Sequence, residues 1–186
     1  MAAAYDFSAL AVLIADKNAY MRRLLRSILR EFNFRMVTEA STPEEALALL
    51  VSTPFDLAFI EWAPDFDGNA AVRQLRRDAK AMSRFIPVIV TSAYTEVHRV
   101  VASRDNGATQ FLAKPFTAKM VYSHLQGVVE SNPQFVQSKV FIGPDRRRKA
   151  KPPPDGSERR GTKPKDAAPK SDSTTPETEK KEPAPG

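Results

Sequence analysis

Between residues 10 and 130, five short apolar runs alternate with five stretches of helical spacing. The runs cover residues 10–15, 35–40, 57–61, 87–92 and 110–113; the helical stretches cover 19–32, 42–51, 69–80, 96–106 and 117–130. Such alternation leaves few folds open. Parallel strands need crossovers of a dozen or more residues, usually a helix, and these crossovers wind right-handedly. The order βαβαβαβαβα therefore predicts an α/β fold, a doubly wound five-stranded parallel sheet. Local signals agree. Met21, Leu24, Leu25, Ile28 and Leu29 fall on one helical face. Thr42 is placed to cap a helix with Pro43 at its first position and Glu45 three residues on. Asp67-Gly68 predicts a turn, and Asn106-Gly107 a left-handed helix end. The unbroken run 57–61 predicts a strand covered on both faces.

The chain changes character after Ile142. From Gly143 to Gly186 there is no Val, Ile, Leu, Met, Phe, Tyr or Trp, and nine of the 15 prolines lie there. Such a segment cannot bury enough apolar surface to offset its ordering entropy. The expected division is a domain over 9–131, an extension or linker over 132–143, and a disordered tail over 144–186, too poor in apolar residues to fold an output module. Residues 146–165 hold nine basic and two acidic residues, so much of the net charge of +6 belongs to the tail. With no cysteine and two histidines far apart, His98 and His124, thiolate chemistry is excluded and a histidine metal site disfavoured. No basic n-region precedes the first apolar run, which is too short to span a membrane; a cytoplasmic protein is expected. No phosphate-cradling glycine loop occurs.

Three charged residues stand where apolar runs stop: Asp16, Glu61 and Lys114. Ligand chemistry in open parallel sheets gathers at the carboxyl ends of the strands, so the three predict one polar pocket. The surrounding residues carry a resemblance. Val12-Leu13-Ile14-Ala15-Asp16, Phe55-Asp56-Leu57-Ala58-Phe59-Ile60-Glu61, Pro87-Val88-Ile89-Val90-Thr91-Ser92-Ala93 and Gly107-Ala108-Thr109-Gln110-Phe111-Leu112-Ala113-Lys114-Pro115-Phe116 resemble the first, third, fourth and fifth strands of the receiver domain of bacterial response regulators, a flavodoxin-like (βα)5 fold. Met21-Arg22-Arg23 and Asp67-Gly68 add to the likeness. In that family an acidic pocket binds Mg²⁺, and a kinase histidine transfers a phosphoryl group to an aspartate at the end of the third strand. A lysine then pairs with the phosphate, and a Ser/Thr and an aromatic move with it. The resemblance puts Lys114 at the lysine, and Ser92 and Phe111 at the switch positions. Receivers are signalling modules, so no catalytic residue is expected.

Two positions depart from the pattern. Lys17 stands at the second acid of the first strand, and Glu61 at the phosphoacceptor aspartate. The loop from Glu61 to Asp67 is also one residue short, with Pro64 shifted. If all side chains converge, Asp16 and Glu61 meet Lys17 and Lys114 in a cluster of zero formal charge. Such a cluster suits Mg²⁺ poorly, because a hard cation wants several oxygen ligands. The expectation is a phosphorylation-independent receiver without cofactor or metal, Asp16 being at most a weak ligand. Glu61 is then either a fixed ion-pair member or a stand-in for the phosphorylated state. The alternatives are a phospho-accepting regulator with an atypical pocket (Asp65 or Asp67 included) and a basic-tailed nucleic-acid binder. The last fits less well, since the tail lacks interleaved aromatics. By resemblance, partners are signalling proteins, a histidine kinase or an output protein among them. They would be bound through a face with Tyr94, His98, Arg99, Lys119 and Tyr122 that also leaves room for a homodimer. Trp62, beside Glu61, is expected to be half exposed.

Overall fold

The first strand, β1 (Ala11–Ala15), sets the layering. Its side chains alternate between two apolar environments. Val12 and Ile14 pack with Leu25, Ile28 and Leu29 of α1 (Ala19–Glu31) and with Val121 and Leu125 of α5 (Ala118–Ser131). Leu13 and Ala15 pack with Ala46 and Leu50 of α2 (Pro43–Ser52) and Val72 and Leu75 of α3 (Gly68–Arg77). A strand buried on both faces is what helices on both sides of a parallel sheet require. The computed structural model describes residues 5–131, 135–137 and 142–145.

The remaining strands are β2 (Met36–Ala40), β3 (Leu57–Ala63), β4 (Phe66–Asp67), β5 (Val88–Ser92) and β6 (Gln110–Ala113). The parallel order is β2-β1-β3-β5-β6, the flavodoxin-like order whose switch point lies between β1 and β3. The register aligns Ala15 with Ile60, Glu61 with Thr91, and Ser92 with Ala113. Asp16, Glu61 and Lys114 are thereby brought to one end of the sheet.

Threonine side chains cap two helix starts, the first of them as expected. Thr42 Oγ1 accepts from the Glu45 N–H at 3.1 Å, and Thr117 Oγ1 from the Met120 N–H at 3.3 Å. Gly107, after the end of α4 (Val97–Asp105), takes φ +99°.

Four expectations need correction. The third strand continues two residues past Glu61, because β4 folds back on it in antiparallel pairing, Trp62 opposite Asp67 and Ala63 opposite Phe66. The turn therefore falls at Pro64 and Asp65, and Asp67-Gly68 is a strand–helix junction. The following helix stops at Arg77 rather than residue 80, where Asp78 turns extended. The folded body also begins before residue 9: Phe7 is buried and stacks on Phe34 at 4.8 Å. After α5, β7 (Phe135–Gln137) and β8 (Ile142–Pro144) pair antiparallel, with the Phe135 ring 5.6 Å from that of Phe85. The expected disorder of the tail falls, from residue 146 on, outside the described residues.

Gly68 shows why the Asp-Gly pair is needed. A Cβ there would lie 2.0 Å from the Glu61 carbonyl oxygen and 2.6 Å from Ile60 Cγ2. Backbone cannot yield as a flexible side chain can. Gly68→Ala is expected to destabilise the domain by about 1–3 kcal/mol or more, as overpacking does, measured as a fall in the urea midpoint at unchanged slope.

Candidate functional site

The Lys114 ammonium sits between two carboxylates. Its Nζ donates to Asp16 Oδ2 at 2.6 Å and to Glu61 Oε1 at 2.7 Å. The other oxygens are met by main chain: the Asn18 N–H donates to Asp16 Oδ1 at 2.8 Å, and the Lys17 N–H to Glu61 Oε2 at 3.1 Å. Each carboxylate oxygen thus has a donor. Asp16 and Glu61 are 4% and 6% exposed. Burial at this depth is tolerable only when charges are paired and their lone pairs filled. The backbone sets the arrangement: the Lys114 N–H donates to the Ser92 carbonyl at 2.8 Å, and the Asp16 N–H to that of Ala40 at 3.2 Å.

Lys17 does not join this cluster. Its main chain serves Glu61, but its ammonium pairs with Asp65 on the β3–β4 turn. The expected four-charge cluster of zero sum is therefore replaced by two carboxylates on one ammonium, with a separate pair outside. The hydrogen bond to Asp65 raises the Lys17 pKa, and the same bond lowers that of Asp65. Both groups are exposed, and such pairs contribute little stability. Asp67 is likewise occupied, its Oδ1 accepting from the Ala70 N–H at 3.0 Å.

Ser92 is fully buried, and its hydroxyl is engaged by main chain. It donates to the Trp62 carbonyl at 2.7 Å and accepts from the Tyr94 N–H at 3.0 Å, tying the β3 end to the β5–α4 loop. Phe111 is partly buried and packs against the core. Trp62, partly exposed, lies edge-on to Tyr94 at 5.7 Å with the Arg99 guanidinium 4.5 Å above its ring. His98 is exposed; His124 is half-buried beside Gln110, and desolvation lowers its pKa.

As a cation site the donor set is poor. Both carboxylates are committed to Lys114, and position 17 supplies no acid. Among the described residues, no group of three or more His, Asp or Glu is disposed to hold a metal ion.

The expected partner face is only partly assembled. Tyr94 and Lys119 are exposed, but the Tyr122 ring packs on Phe32 at 5.3 Å, and Arg99 lies over Trp62. Among apolar residues that the sequence did not single out, Val97 is 80% exposed, and Val101 and Met120 are also open. Val97 and Val101 are four residues apart, on one helix face; their charged neighbours masked the pair. No helix among the described residues is long and apolar enough to cross a membrane.

Removing the shared cation tests the cluster. Lys114→Met leaves two buried carboxylates facing each other, at an expected cost of about 3–5 kcal/mol. Urea unfolding at neutral pH reads the loss as a lower midpoint.

Comparison with known proteins agrees with this geometry. Residues 12–126 match the model of the response regulator receiver domain. Over 120 residues the chain is 28% identical to the chemotaxis protein CheY of Pseudomonas aeruginosa, an alignment covering 64% of this chain and 95% of that protein. It is 27% identical to the chemotaxis protein CheY-3 of Vibrio cholerae, covering 64% and 91%. Among solved structures, the chemotaxis protein CheY4 of Vibrio cholerae aligns with a TM-score of 0.58 at 26% identity, covering 64% of this chain and 99% of that one. A match spanning more than half of the sequence, on a sheet of this order with lysine and acid at its carboxyl ends, shows that the chain belongs to the response regulator receiver domain family.

Proposed function

We propose that this receiver signals by binding protein partners and does so without phosphorylation of position 61, without Mg²⁺ and without catalytic activity of its own. The observation that carries the reading is the state of Glu61. A carboxylate that must attack phosphorus needs a free oxygen and a metal to offset developing charge. Both oxygens of Glu61 already accept hydrogen bonds, one from Lys114 and one from the Lys17 main chain. Its neighbour at the second acid position is a lysine.

Of the two roles open to Glu61, the fixed ion pair is the better supported. A stand-in for the phosphorylated state should draw the Ser92 hydroxyl, yet that hydroxyl is held by Trp62 and Tyr94. The partner surface in this reading is the α4 side of the molecule, with Tyr94, Val97 and Val101, continued by Lys119 and Met120 on α5. Exposed apolar side chains beside charged ones are what transient interfaces use.

Two measurements test the proposal. Full-length protein incubated with acetyl phosphate and Mg²⁺ should show no phosphoryl adduct by intact mass; an adduct mapped to Glu61 sinks the reading. Val97→Asp, at an exposed position, should change stability by no more than about 0.5 kcal/mol. In a pull-down with the full chain it should lower partner recovery by about tenfold, as loss of an apolar interface contact does. Recovery unchanged by Val97→Asp moves the interface elsewhere.

A further inference from the structure

Arg76 is the largest fully buried side chain, in the third turn of α3. Its guanidinium collects three backbone carbonyls. Nε donates to Gly107 at 3.2 Å, Nη2 to Ile86 at 2.8 Å, and Nη1 to Arg84. The Phe135 ring of β7 covers it, 4.8 Å from the guanidinium carbon. Burial pulls its pKa down to about 9, still well above neutral, so the group under the ring is a cation.

The carbonyl at Gly107 matters because of what it terminates. Gly107 follows Asn106, the residue at which α4 ends, and holds the left-handed φ that turns the chain into β6. A Cβ at Gly107 would lie 2.8 Å from Arg76 Cγ and 3.0 Å from the Ile142 carbonyl of β8. Three elements that are remote in sequence therefore meet at this point: α3, the end of α4, and the β7–β8 hairpin.

Helix α4 has little hold of its own. Ser103 is its only fully buried residue, and its first turn has no side-chain cap. Near its start, Arg99 lies over Trp62; at its end, the turn leans on Arg76. A helix so thinly packed takes its position from such end contacts.

We infer that the β7–β8 hairpin is a brace for α4: Phe135 holds Arg76, and Arg76 holds the turn at which α4 ends, so the C-terminal extension and the α4 surface behave as one coupled unit. The brace lies beyond the residues matched by the family model, which end at 126. A factor that displaces the hairpin loosens α4 without touching the strand-end cluster. The basic segment beginning at Arg146 follows β8 in sequence after one residue, Asp145.

The test is hydrogen exchange on the full-length chain, read by mass spectrometry for wild type, Phe135→Ala and Phe135→Leu. Phe135→Ala should speed exchange of amides 103–108 by about tenfold, the worth of a partly desolvated cation–π contact, while α1 and the central strands keep their wild-type protection. Phe135→Leu retains apolar cover without the ring and should fall between. Wild-type protection of α4 beside a rapidly exchanging hairpin overturns the brace, because the hairpin is then a passenger. So does an equal loss of protection in every element, which reduces Phe135 to global stability. No phosphoryl donor is involved, so the outcome is independent of the role of Glu61.

Discussion

One ammonium between two buried carboxylates holds three strand ends together. Lys114 closes β6 onto β1 and β3, and the two remaining carboxylate oxygens are filled by the main chain at Lys17 and Asn18. That filling explains why the second lysine points away. A further ammonium in the pocket would have to be desolvated while finding no vacant oxygen. Asp65, carried outward by the β3–β4 turn, offers Lys17 a partner in water instead. The short loop and the two changed residues act as a set: the turn places Asp65, Asp65 takes the Lys17 side chain, and the backbone of Lys17 is left to serve Glu61.

Much of the fold could be read from the chain because each layer wrote its own signal. The period of the apolar runs gave the strands, and Thr42 and Asn106-Gly107 marked helix ends from their own chemistry. Asp16, Glu61 and Lys114 were legible as a cluster because strand ends in this fold converge whatever the details. Other features depended on partners distant in sequence. The side chain of Lys17 went where a two-residue turn put Asp65. Tyr122 turned to Phe32 because α1 and α5 share a face of the sheet. Nothing in the sequence sets Arg76 apart from its neighbour Arg77; the three carbonyls and the ring around it come from the fold. Within the expected extension or linker, Phe135 meets Phe85 and Arg76, both remote in sequence.

The two ends of α4 are governed by different neighbours. Its start lies beside the strand-end cluster, through Trp62, Tyr94 and Arg99; its end lies against α3 and the C-terminal hairpin. Along its length it contributes Val97 and Val101 to solvent and only Ser103 to the core. A helix of this kind is stabilised by what frames it more than by its own apolar stripe. The exposed valines are then presented by a frame rather than by a core, which keeps them available without loosening the sheet beneath.

The Ser92 hydroxyl works as a clasp. It satisfies two backbone groups at once, the Trp62 carbonyl and the Tyr94 N–H. Freeing it for a ligand would strand both, and unpaired buried polar groups are costly. The end of β3 and the start of the loop that leads to α4 are thereby sewn together through one side chain, and a shift of either pulls on the other.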